Sequence, residues 1–223
     1  MNKEERILNS WAINATNWIE VIESNAIESR KLATNNAIVN AVVSAQPGSV
    51  LDIGCGEGWL AKELSDRGIS VTGIDAIPAL IDKAREKSSG RFIKASYEEI
   101  ADANILGENK FDVVVINFAL ISKESTEQLL GAVPDLLNRG GKLFIQTLHP
   151  YNRKALDDYK TGWKKGSWDG LGDQFTEPYE WYFRTMEDWL ALLGIAGFTK
   201  LKATDVHHPQ TGALLSVIFE CSL

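Results

Sequence analysis

A glycine-rich stretch is the part of the chain best suited to hold a small ligand against the backbone. The segment SVLDIGCGEG (residues 49–58) starts as a short buried strand and continues with Gly54, Gly56 and Gly58, and residues 59–64 then begin a helical pattern. A strand that turns over glycines into a helix brings bare backbone N–H groups and a helix N-terminus up to a ligand. Because a Cβ in the turn would block this approach, the spacing predicts a ligand-binding loop.

The residues around this loop indicate which class of ligand it binds. A dinucleotide-binding fingerprint has a third glycine where this chain has Trp59, and that difference disfavours a nicotinamide oxidoreductase. Asp52, shortly before the first glycine, would repel a pyrophosphate and suits a positively charged ligand. Asp75 ends the next predicted strand, where a carboxylate about 20 residues beyond the loop can accept hydrogen bonds from both ribose hydroxyls. A simple strand-end cap is the alternative role for Asp75.

Three segments resemble the class I S-adenosylmethionine (SAM) methyltransferases. The Asp-x-Gly-x-Gly-x-Gly pattern of residues 52–58 resembles motif I of that family, and LLNRGGKLFIQT (residues 136–147) resembles its strand-five motif. The segment YFRTMEDWLALLGIAGF (residues 182–198) resembles the part that follows the cap in many small-molecule members. The chain is similar to bacterial methyltransferases of unassigned substrate. The resemblance implies SAM as cofactor, S-adenosylhomocysteine (SAH) as product, and in-line transfer of a methyl group to a small-molecule acceptor.

The predicted elements follow the order of a doubly wound α/β domain. Apolar runs predict strands at residues 50–53, 69–75, 91–95, 111–116, 142–147, 199–205 and 214–220. Strands that alternate with helices predict a parallel sheet with right-handed crossovers. The resemblance implies the rest of the fold, a seven-stranded Rossmann-like methyltransferase sheet of order 3-2-1-4-5-7-6 with strand 7 antiparallel.

The chain is predicted to form a single methyltransferase domain over residues 1–223. Residues 1–46 have apolar residues at spacings of three and four, which predicts helices, and the resemblance implies that they form a lid over the cofactor. Residues 47–147 are the predicted SAM-binding core. Residues 148–184 are an irregular, aromatic-rich insertion after strand 5, which indicates a substrate cap and not disorder. Residues 185–223 supply a C-terminal helix and a β-hairpin.

The candidate cofactor residues follow the strand ends, because ligands of open α/β sheets bind beyond the carboxyl ends of the strands. Assigned to SAM on this basis and on the resemblance are Asp52, Gly54, Cys55, Gly56, Asp75, Ala76, Ile77, Ser96, Tyr97, Asn117 and Phe118. Arg30, in the N-terminal helices, is the candidate partner for the carboxylate of SAM, and a solvated helix arginine is the alternative. Many relatives have an acid after strand three, where this chain has Ala95, Ser96 and Tyr97.

The ends of strands five and six point to the same face, which places the predicted acceptor site there. The candidate substrate-binding residues are His149, Tyr151, Trp163, Trp168, Trp181, Tyr182 and His208. His149 is the candidate general base, and a structural hydrogen-bonding role is its alternative. The aromatic residues would exclude water and favour a cation, and a small satellite core is their alternative role. Three histidines and no paired cysteines predict no metal site.

Charge and composition disfavour several classes of protein. The net charge of −7 and the pI of about 5.1 disfavour a nucleic-acid partner. Two separated cysteines, the lack of an apolar signal region and the lack of a membrane-length apolar run predict a cytoplasmic protein without a membrane partner. Asn117 is followed by Phe-Ala-Leu, without the prolines of enzymes that methylate amino groups of DNA or protein glutamine. A SAM-binding protein without catalysis, acting as a sensor or partner subunit, stays open as the alternative, as do the methylated atom (O, N, S or C) and the oligomeric state.

Overall fold

A computed structural model describes residues 1–102, 105–156 and 158–223. Its strands are β1 (Ser49–Ile53), β2 (Ser70–Asp75), β3 (Arg91–Lys94), β4 (Phe111–Asn117), β5 (Leu137–Leu148), β6 (Gly162–Lys164), β7 (Trp181–Phe183), β8 (Lys200–His207) and β9 (Leu214–Ser222). Its α-helices are α1 (Lys3–Glu23), α2 (Asn35–Ser44), α3 (Trp59–Ser65), α4 (Pro78–Lys87), α5 (Tyr97–Ala101), α6 (Glu124–Leu136) and α7 (Met186–Ile195). A π-helical turn, Arg30–Thr34, leads into α2, and a 3₁₀ helix, Pro150–Leu156, follows β5.

The main sheet confirms the predicted topology. Seven strands lie in the order β3-β2-β1-β4-β5-β9-β8, which is the predicted order once the two short strands β6 and β7 are counted apart. Strand β9 runs antiparallel to both of its neighbours, and the other adjacent pairs are parallel. The carboxyl ends of β1 to β5 therefore meet at one edge of the sheet, here called the carboxyl edge.

Two local features differ from the expectation. Strands β6 and β7 pair as a separate two-stranded sheet inside the insertion, with Trp163 opposite Tyr182. The sequence did not predict these strands, because three residues are too few to give an alternating pattern. Strand β5 begins at Leu137, which pairs with Phe111 across an irregularity in the register. The strand therefore starts before residue 142, where the sequence predicts its beginning, and residues 137–141 form a bulged extension of it.

The core consists of two layers, one on each face of the sheet. In β4, Val114 and Ile116 pack with residues of α5, α6 and α7, whereas Val113 and Val115 pack with residues of α2, α3 and α4. A central parallel strand is covered by helices on both faces and is therefore apolar on both. This packing fixes where β1 and β4 end, and so where their terminal side chains lie. No helix in the described ranges combines the length and the apolar content needed to cross a bilayer.

Helix α1 and the insertion between β5 and α7 form one layer, here called the cap layer. The Asn14 side chain donates to the Thr176 carbonyl (2.7 Å) and accepts from the Thr176 N–H (2.9 Å). The indole of Trp11 donates to the Tyr179 hydroxyl (3.0 Å). On its other side, α1 packs against Ile77 at the start of α4. The cap layer therefore lies over the carboxyl edge.

The start of α1 is fastened to α6 by a carboxylate. The side chain of Glu4 accepts hydrogen bonds from the backbone N–H groups of Lys123 (2.8 Å), Glu124 (2.7 Å) and Ser125 (3.1 Å). These are N–H groups that a helix cannot satisfy internally, and the positive end of the helix dipole favours an anion there. Glu4 thus caps α6 from a different element.

We expect Glu4→Gln to lower the melting temperature, because the amide loses the charge and one of the two acceptor oxygens. The loss should be about 1 kcal/mol, which corresponds to about 2–4 °C for a chain of this size. Differential scanning fluorimetry measures it. Glu20→Gln, an exposed site on the same helix, is the matched control, and an equal shift in both variants would contradict the cap.

Candidate functional site

The glycine loop turns at the carboxyl edge with left-handed backbone at each glycine. The φ angles are +72° at Gly54, +56° at Gly56 and +83° at Gly58. A Cβ at Gly54 would lie 2.4 Å from the Cβ of Ala119, so this glycine is required for packing against the loop after β4. At Gly56 the nearest atom to a Cβ would be Trp18 Nε1, at 3.9 Å. The backbone of Gly56 therefore faces space beneath the cap layer.

Asp75 ties the end of β2 to the glycine loop. Its Oδ2 accepts a hydrogen bond from the Gly56 N–H (3.0 Å), and its Oδ1 accepts one from the Ile77 N–H (2.9 Å). Burial raises the pKa of Asp75 to about 6, although these backbone hydrogen bonds act in the opposite direction. The carboxylate is thus a strand-end cap, and its oxygens keep further lone pairs for a ligand.

Asp52 carries a carboxylate that its surroundings leave partly unpaired. The residue is 1% exposed, and its Oδ2 has no hydrogen-bond partner in the described part of the chain. Burial, and then the charges of Asp75 and Glu57, raise the pKa of Asp52 to about 8. A buried carboxylate without a partner is costly, so this position favours a ligand that brings positive charge.

Six buried polar side-chain atoms lack a hydrogen-bond partner within the described residues, and all of them belong to segments at the carboxyl edge. They are Arg30 Nη2, Thr34 Oγ1, Asp52 Oδ2, Glu57 Oε1, Asn117 Oδ1 and Gln146 Oε1. Asn117 and Gln146 are register neighbours on β4 and β5, and Gln146 Nε2 donates to the Thr34 carbonyl (3.2 Å). Native interiors rarely leave such atoms unpaired, so together they mark a site for a polar ligand.

Arg30 lies against the glycine loop instead of in solvent. Its guanidinium is 5.0 Å from the ring centroid of Trp59 and 5.7 Å from that of Trp18. The Nε donates to Asn35 Oδ1 (3.3 Å), and Nη2 is one of the unpartnered atoms. Burial lowers the pKa of Arg30, and the charge of Glu57 opposes that change. A half-buried cation with a free N–H group suits an anionic ligand group.

Tyr97 and Ser96 have structural partners at the end of β3. The Tyr97 hydroxyl donates to the Ala119 carbonyl (2.9 Å), and burial raises its pKa far above the ordinary value. Ser96 Oγ accepts from the Glu99 N–H (3.3 Å), while the Glu99 carboxylate accepts from the Ser96 N–H (2.8 Å). This reciprocal pair is a capping box that starts α5. Contact of either residue with a cofactor stays a prediction.

The remaining predicted cofactor residues differ in exposure. Cys55 is 4% exposed, and burial raises the pKa of its thiol well above the ordinary value, so the thiol is not reactive. Ile77 is 6% exposed beneath α1, and Ala76 is half-buried beside it. Phe118 has a left-handed backbone (φ +54°), and its N–H donates to the Gln146 carbonyl (2.8 Å). Their contacts with a cofactor also stay predictions.

His149 is held by protein groups at both ring nitrogens. Its Nδ1 accepts from the Tyr151 N–H (3.2 Å), which places the proton of the neutral ring on Nε2, and Nε2 donates to the Asp205 carboxylate (3.0 Å). The residue is 2% exposed, and the Tyr151 ring packs 5.3 Å from it. This geometry favours the structural alternative over the general base, because both nitrogens are already engaged.

The aromatic residues predicted for the acceptor site lie inside the cap layer. Trp168 is 7% exposed and donates from Nε1 to Ser10 Oγ (2.9 Å) on α1. Trp163 and Tyr182 meet edge to face at 5.3 Å, and Trp181 packs against the same cluster. These contacts are those of a satellite core that joins the insertion to α1. Contact of these residues with an acceptor stays a prediction.

A cavity of about 410 Å³ opens between the cap layer and the β8–β9 hairpin. Its walls include Val21, Ile27, Glu28, Leu171, His208 and Leu215. The volume lies within the range of small-ligand sites, about 300–1,000 Å³. His208, a predicted acceptor residue, accepts at Nδ1 from the N–H groups of Gln210 (3.2 Å) and Thr211 (3.4 Å). The neutral His208 ring therefore carries its proton on Nε2.

Three residues of the unpartnered set were not predicted from the sequence. Glu57 is a variable position of the glycine pattern, and Gln146 is a polar residue in the otherwise apolar end of β5, a signal that pattern reasoning could have used. The position of Thr34 in the site depends on the π-helical turn, which the spacing of the apolar residues does not predict. Such turns occur frequently at functional sites.

This sheet order, with a glycine loop at the carboxyl edge, is a Rossmann-like methyltransferase fold. The family model described as "Methyltransferase domain" matches residues 28–202 of the 223, and the chain therefore belongs to this methyltransferase family. Among solved structures, the DhpI-SAM-HEP complex superposes with a TM-score of 0.70 at 14% identity, covering 99% of this chain and 98% of that chain. A SAM-dependent methyltransferase from Clostridium acetobutylicum gives a TM-score of 0.65 at 15% identity, covering 92% and 95%.

Curated relatives match part of the chain. A ubiquinone biosynthesis O-methyltransferase from Xylella fastidiosa (strain M23) is 34% identical over 109 residues, which are 48% of this chain and 44% of that protein. An uncharacterized methyltransferase from Mycobacterium bovis is 31% identical over 138 residues, which are 61% of this chain and 66% of that protein. The chain thus spans less than half the length of the ubiquinone-pathway relative that it matches.

We expect Asp52→Asn to stabilise the ligand-free protein. The folded-state pKa of about 8 lies above the ordinary value of 3.8, so the wild type loses stability as the pH rises between those values. Asparagine removes that penalty, and the gain should be largest at pH 8 and vanish near pH 4. One pKa unit corresponds to about 1.4 kcal/mol, so a rise in melting temperature of several degrees is expected at pH 8.

Thermal unfolding from pH 5 to pH 8.5 tests this expectation. Asp135→Asn, an exposed site on α6, is the matched control and should leave the pH profile unchanged. A destabilised Asp52→Asn protein at pH 8 would show that the carboxylate is paired in solution.

Proposed function

We propose that this chain is a SAM-dependent methyltransferase that acts on a small-molecule acceptor. The observation that carries the proposal is the set of unpartnered buried atoms around the glycine loop, which includes both a guanidinium, on Arg30, and a carboxylate, on Asp52. SAM carries a carboxylate, an ammonium and a sulfonium on a ribose nucleoside. SAM therefore supplies a group of opposite charge to both Arg30 and Asp52. A dinucleotide pyrophosphate is negatively charged and would supply none to Asp52.

The residues at the carboxyl edge fit this cofactor. Arg30 would bind its carboxylate, Asp75 its ribose hydroxyls, and Asp52 would balance its positive charge. A Cβ at Gly56 would meet no atom closer than Trp18 Nε1 at 3.9 Å, and without that Cβ the backbone can approach a ligand closely. Tyr97 would supply apolar surface for the adenine.

The relatives support the same reading. The Xylella fastidiosa relative is an O-methyltransferase of ubiquinone biosynthesis, and the DhpI complex contains SAM. A glycopeptide N-methyltransferase, MtfA, complexed with SAM, also superposes on this chain, with a TM-score of 0.62 at 14% identity, covering 83% of this chain and 92% of that chain. The Xylella fastidiosa relative is an O-methyltransferase and MtfA is an N-methyltransferase, so the relatives support the cofactor and the reaction class without naming the acceptor.

The chain's own residues have a limited chemical task. When bound, SAM supplies a methyl group that its sulfonium already activates for in-line displacement. The protein must then hold the acceptor in line with that methyl group, which can contribute roughly 7–11 kcal/mol. It must also exclude water, which the cap layer would do. We assign His149 to positioning, because its bond to Asp205 joins the end of β5 to β8 across β9.

A SAM-binding protein without catalysis remains the alternative, and turnover of any acceptor separates the two. The net charge of −7 supports a small-molecule acceptor over a nucleic acid, since a basic surface is the usual footprint of nucleic-acid binding. We also propose a reducing, cytoplasmic location, supported by the two buried free cysteines.

Calorimetry should show SAM and SAH binding in the micromolar range, roughly −8 kcal/mol. Arg30→Gln and Asp75→Asn should each weaken binding by about 1–3 kcal/mol, because each leaves a polar ligand group without its charged partner. Arg139→Gln, an exposed arginine on β5, is the matched control and should bind as the wild type does. Binding of NADH with no heat from SAM would overturn the cofactor assignment.

His149→Asn and Asp205→Asn should lower the melting temperature by similar amounts while the SAM dissociation constant changes less than about threefold. The hydrogen bond is buried at one end and exposed at the other, so a loss of about 1–2 kcal/mol is expected. Combining the two substitutions should cost little more than either alone, because they remove the same bond. A loss of kcat of about 10²–10⁴ in His149→Asn alone, at unchanged melting temperature, would instead identify a general base.

A further inference from the structure

Glu57, inside the glycine loop, is a buried carboxylate with one oxygen that the protein leaves free. The residue is 1% exposed, and its Oε1 has no hydrogen-bond partner among the described residues. Lys87 Nζ lies 3.8 Å from that oxygen, which is beyond hydrogen-bond distance, and 3.6 Å from a carboxylate oxygen of Glu23. Lys87 therefore balances part of the charge of Glu57 and leaves Oε1 available to a hydrogen-bond donor.

Arg30 presents a free group of the opposite charge. Its Nη2 is buried and also lacks a hydrogen-bond partner in the described part of the chain, while the rings of Trp18 and Trp59 hold the guanidinium in place. The charge of Glu57 opposes the fall in the pKa of Arg30 that burial causes, so the two groups are electrostatic neighbours. Arg30 Nη2 and Glu57 Oε1 are therefore oppositely charged groups that do not bond to each other.

Asp52, the other carboxylate with an unpartnered oxygen, has a different principal neighbour. Among the charges that raise the pKa of Asp52, that of Asp75 comes before that of Glu57. The carboxylate whose charge acts on Arg30 is that of Glu57. Asp52 is thus associated mainly with the carboxylate assigned to the ribose, and Glu57 is associated with the arginine.

We propose, on the basis of the function proposed above, that Arg30 and Glu57 together bind the α-amino acid end of the cofactor. In SAM and SAH this end carries a carboxylate and an ammonium on one carbon atom, so its two partners must be neighbours of opposite charge. The carboxylate accepts a hydrogen bond from Arg30 Nη2, and the ammonium donates one to Glu57 Oε1. Glu57 is then the residue that selects for the ammonium.

Other ligand groups fit this pair less well. A phosphate or a simple carboxylate suits Arg30 but is repelled by Glu57, and a simple amine is attracted by Glu57 and repelled by Arg30. A water molecule can bond to either atom but supplies no charge to either group. A zwitterion satisfies both at once, because charge-assisted hydrogen bonds form at each end.

The test measures the binding of three probes to the full chain by calorimetry at neutral pH. The probes are SAH, deamino-SAH, which lacks the ammonium, and decarboxy-SAH, which lacks the carboxylate. All three share one adenosine and one uncharged sulfur, so differences report the amino acid end alone. Wild type should bind SAH about tenfold or more tighter than either analogue, and equal binding of all three overturns the proposal. Failure of wild type to bind either SAM or SAH would instead defeat the proposed function itself.

Two variants assign each charge to its partner. Glu57→Gln should weaken the binding of SAH and decarboxy-SAH by about tenfold and should not weaken that of deamino-SAH, which has no ammonium. Arg30→Gln should weaken SAH and deamino-SAH and should not weaken decarboxy-SAH. Glu20→Gln, an exposed site on α1, is the matched control and should bind all three probes as wild type does.

Two results with the variants would overturn the proposal. Equal weakening of all three probes in Glu57→Gln would show that the side chain supports the loop and does not bind the ammonium. Loss of the ammonium-bearing probes alone in Asp52→Asn, without that loss in Glu57→Gln, would assign the ammonium to Asp52. If Glu57→Gln does not fold, Glu57→Asp withdraws the carboxylate by one methylene and should show the same selective weakening.

Discussion

Buried charge that the fold does not pair is the constraint on which the rest of the structure depends. Asp52 and Asp75 end or nearly end adjacent strands, and both have a raised pKa because burial penalises their charged forms. A domain selected only for stability would carry apolar residues there, since breaking up or isolating buried charge costs several kcal/mol. The sheet topology brings these strand ends together, so the fold sets the cost, and either protonation or a ligand of complementary charge offsets it.

The need to shield these buried charges from water explains why a cap layer covers the carboxyl edge. Water at the carboxyl edge would screen the charges and satisfy the unpaired atoms, so the edge must be covered for the charges to act strongly on a ligand. The cover is built from two segments far apart in the chain, and Asn14 and Trp11 of α1 bond to Thr176 and Tyr179 of the insertion. The aromatic content of the insertion is explained by this joint without any contact to a substrate.

Much of the fold was predictable because it depends on local apolar runs and on motif spacing. The apolar run FDVVVI (residues 111–116) predicts a central strand. Ser96 and Thr185 are typical N-cap residues, and each caps the helix that it precedes. The polar half of the site was only partly predictable. Asp52 and Asp75 stand at marked positions, but Gln146 acquires its role from its register with Asn117 and from a π-helical turn that brings in Thr34. The same limit applies to His149, whose neighbours in sequence do not reveal Asp205 on β8.

The cap layer and the glycine loop also share one set of charges. Lys87, at the end of α4, lies 3.8 Å from Glu57 in the loop and 3.6 Å from Glu23 at the end of α1, and Lys83 lies 3.1 Å from Glu23. Glu57 contributes to the raised pKa of both Asp52 and Asp75. Any ligand that brings positive charge to the loop therefore acts on the same carboxylate that Lys87 balances. Lys87 thus lies near one carboxylate of the glycine loop and one of α1, so a single cation lies between the ligand site and the cap layer.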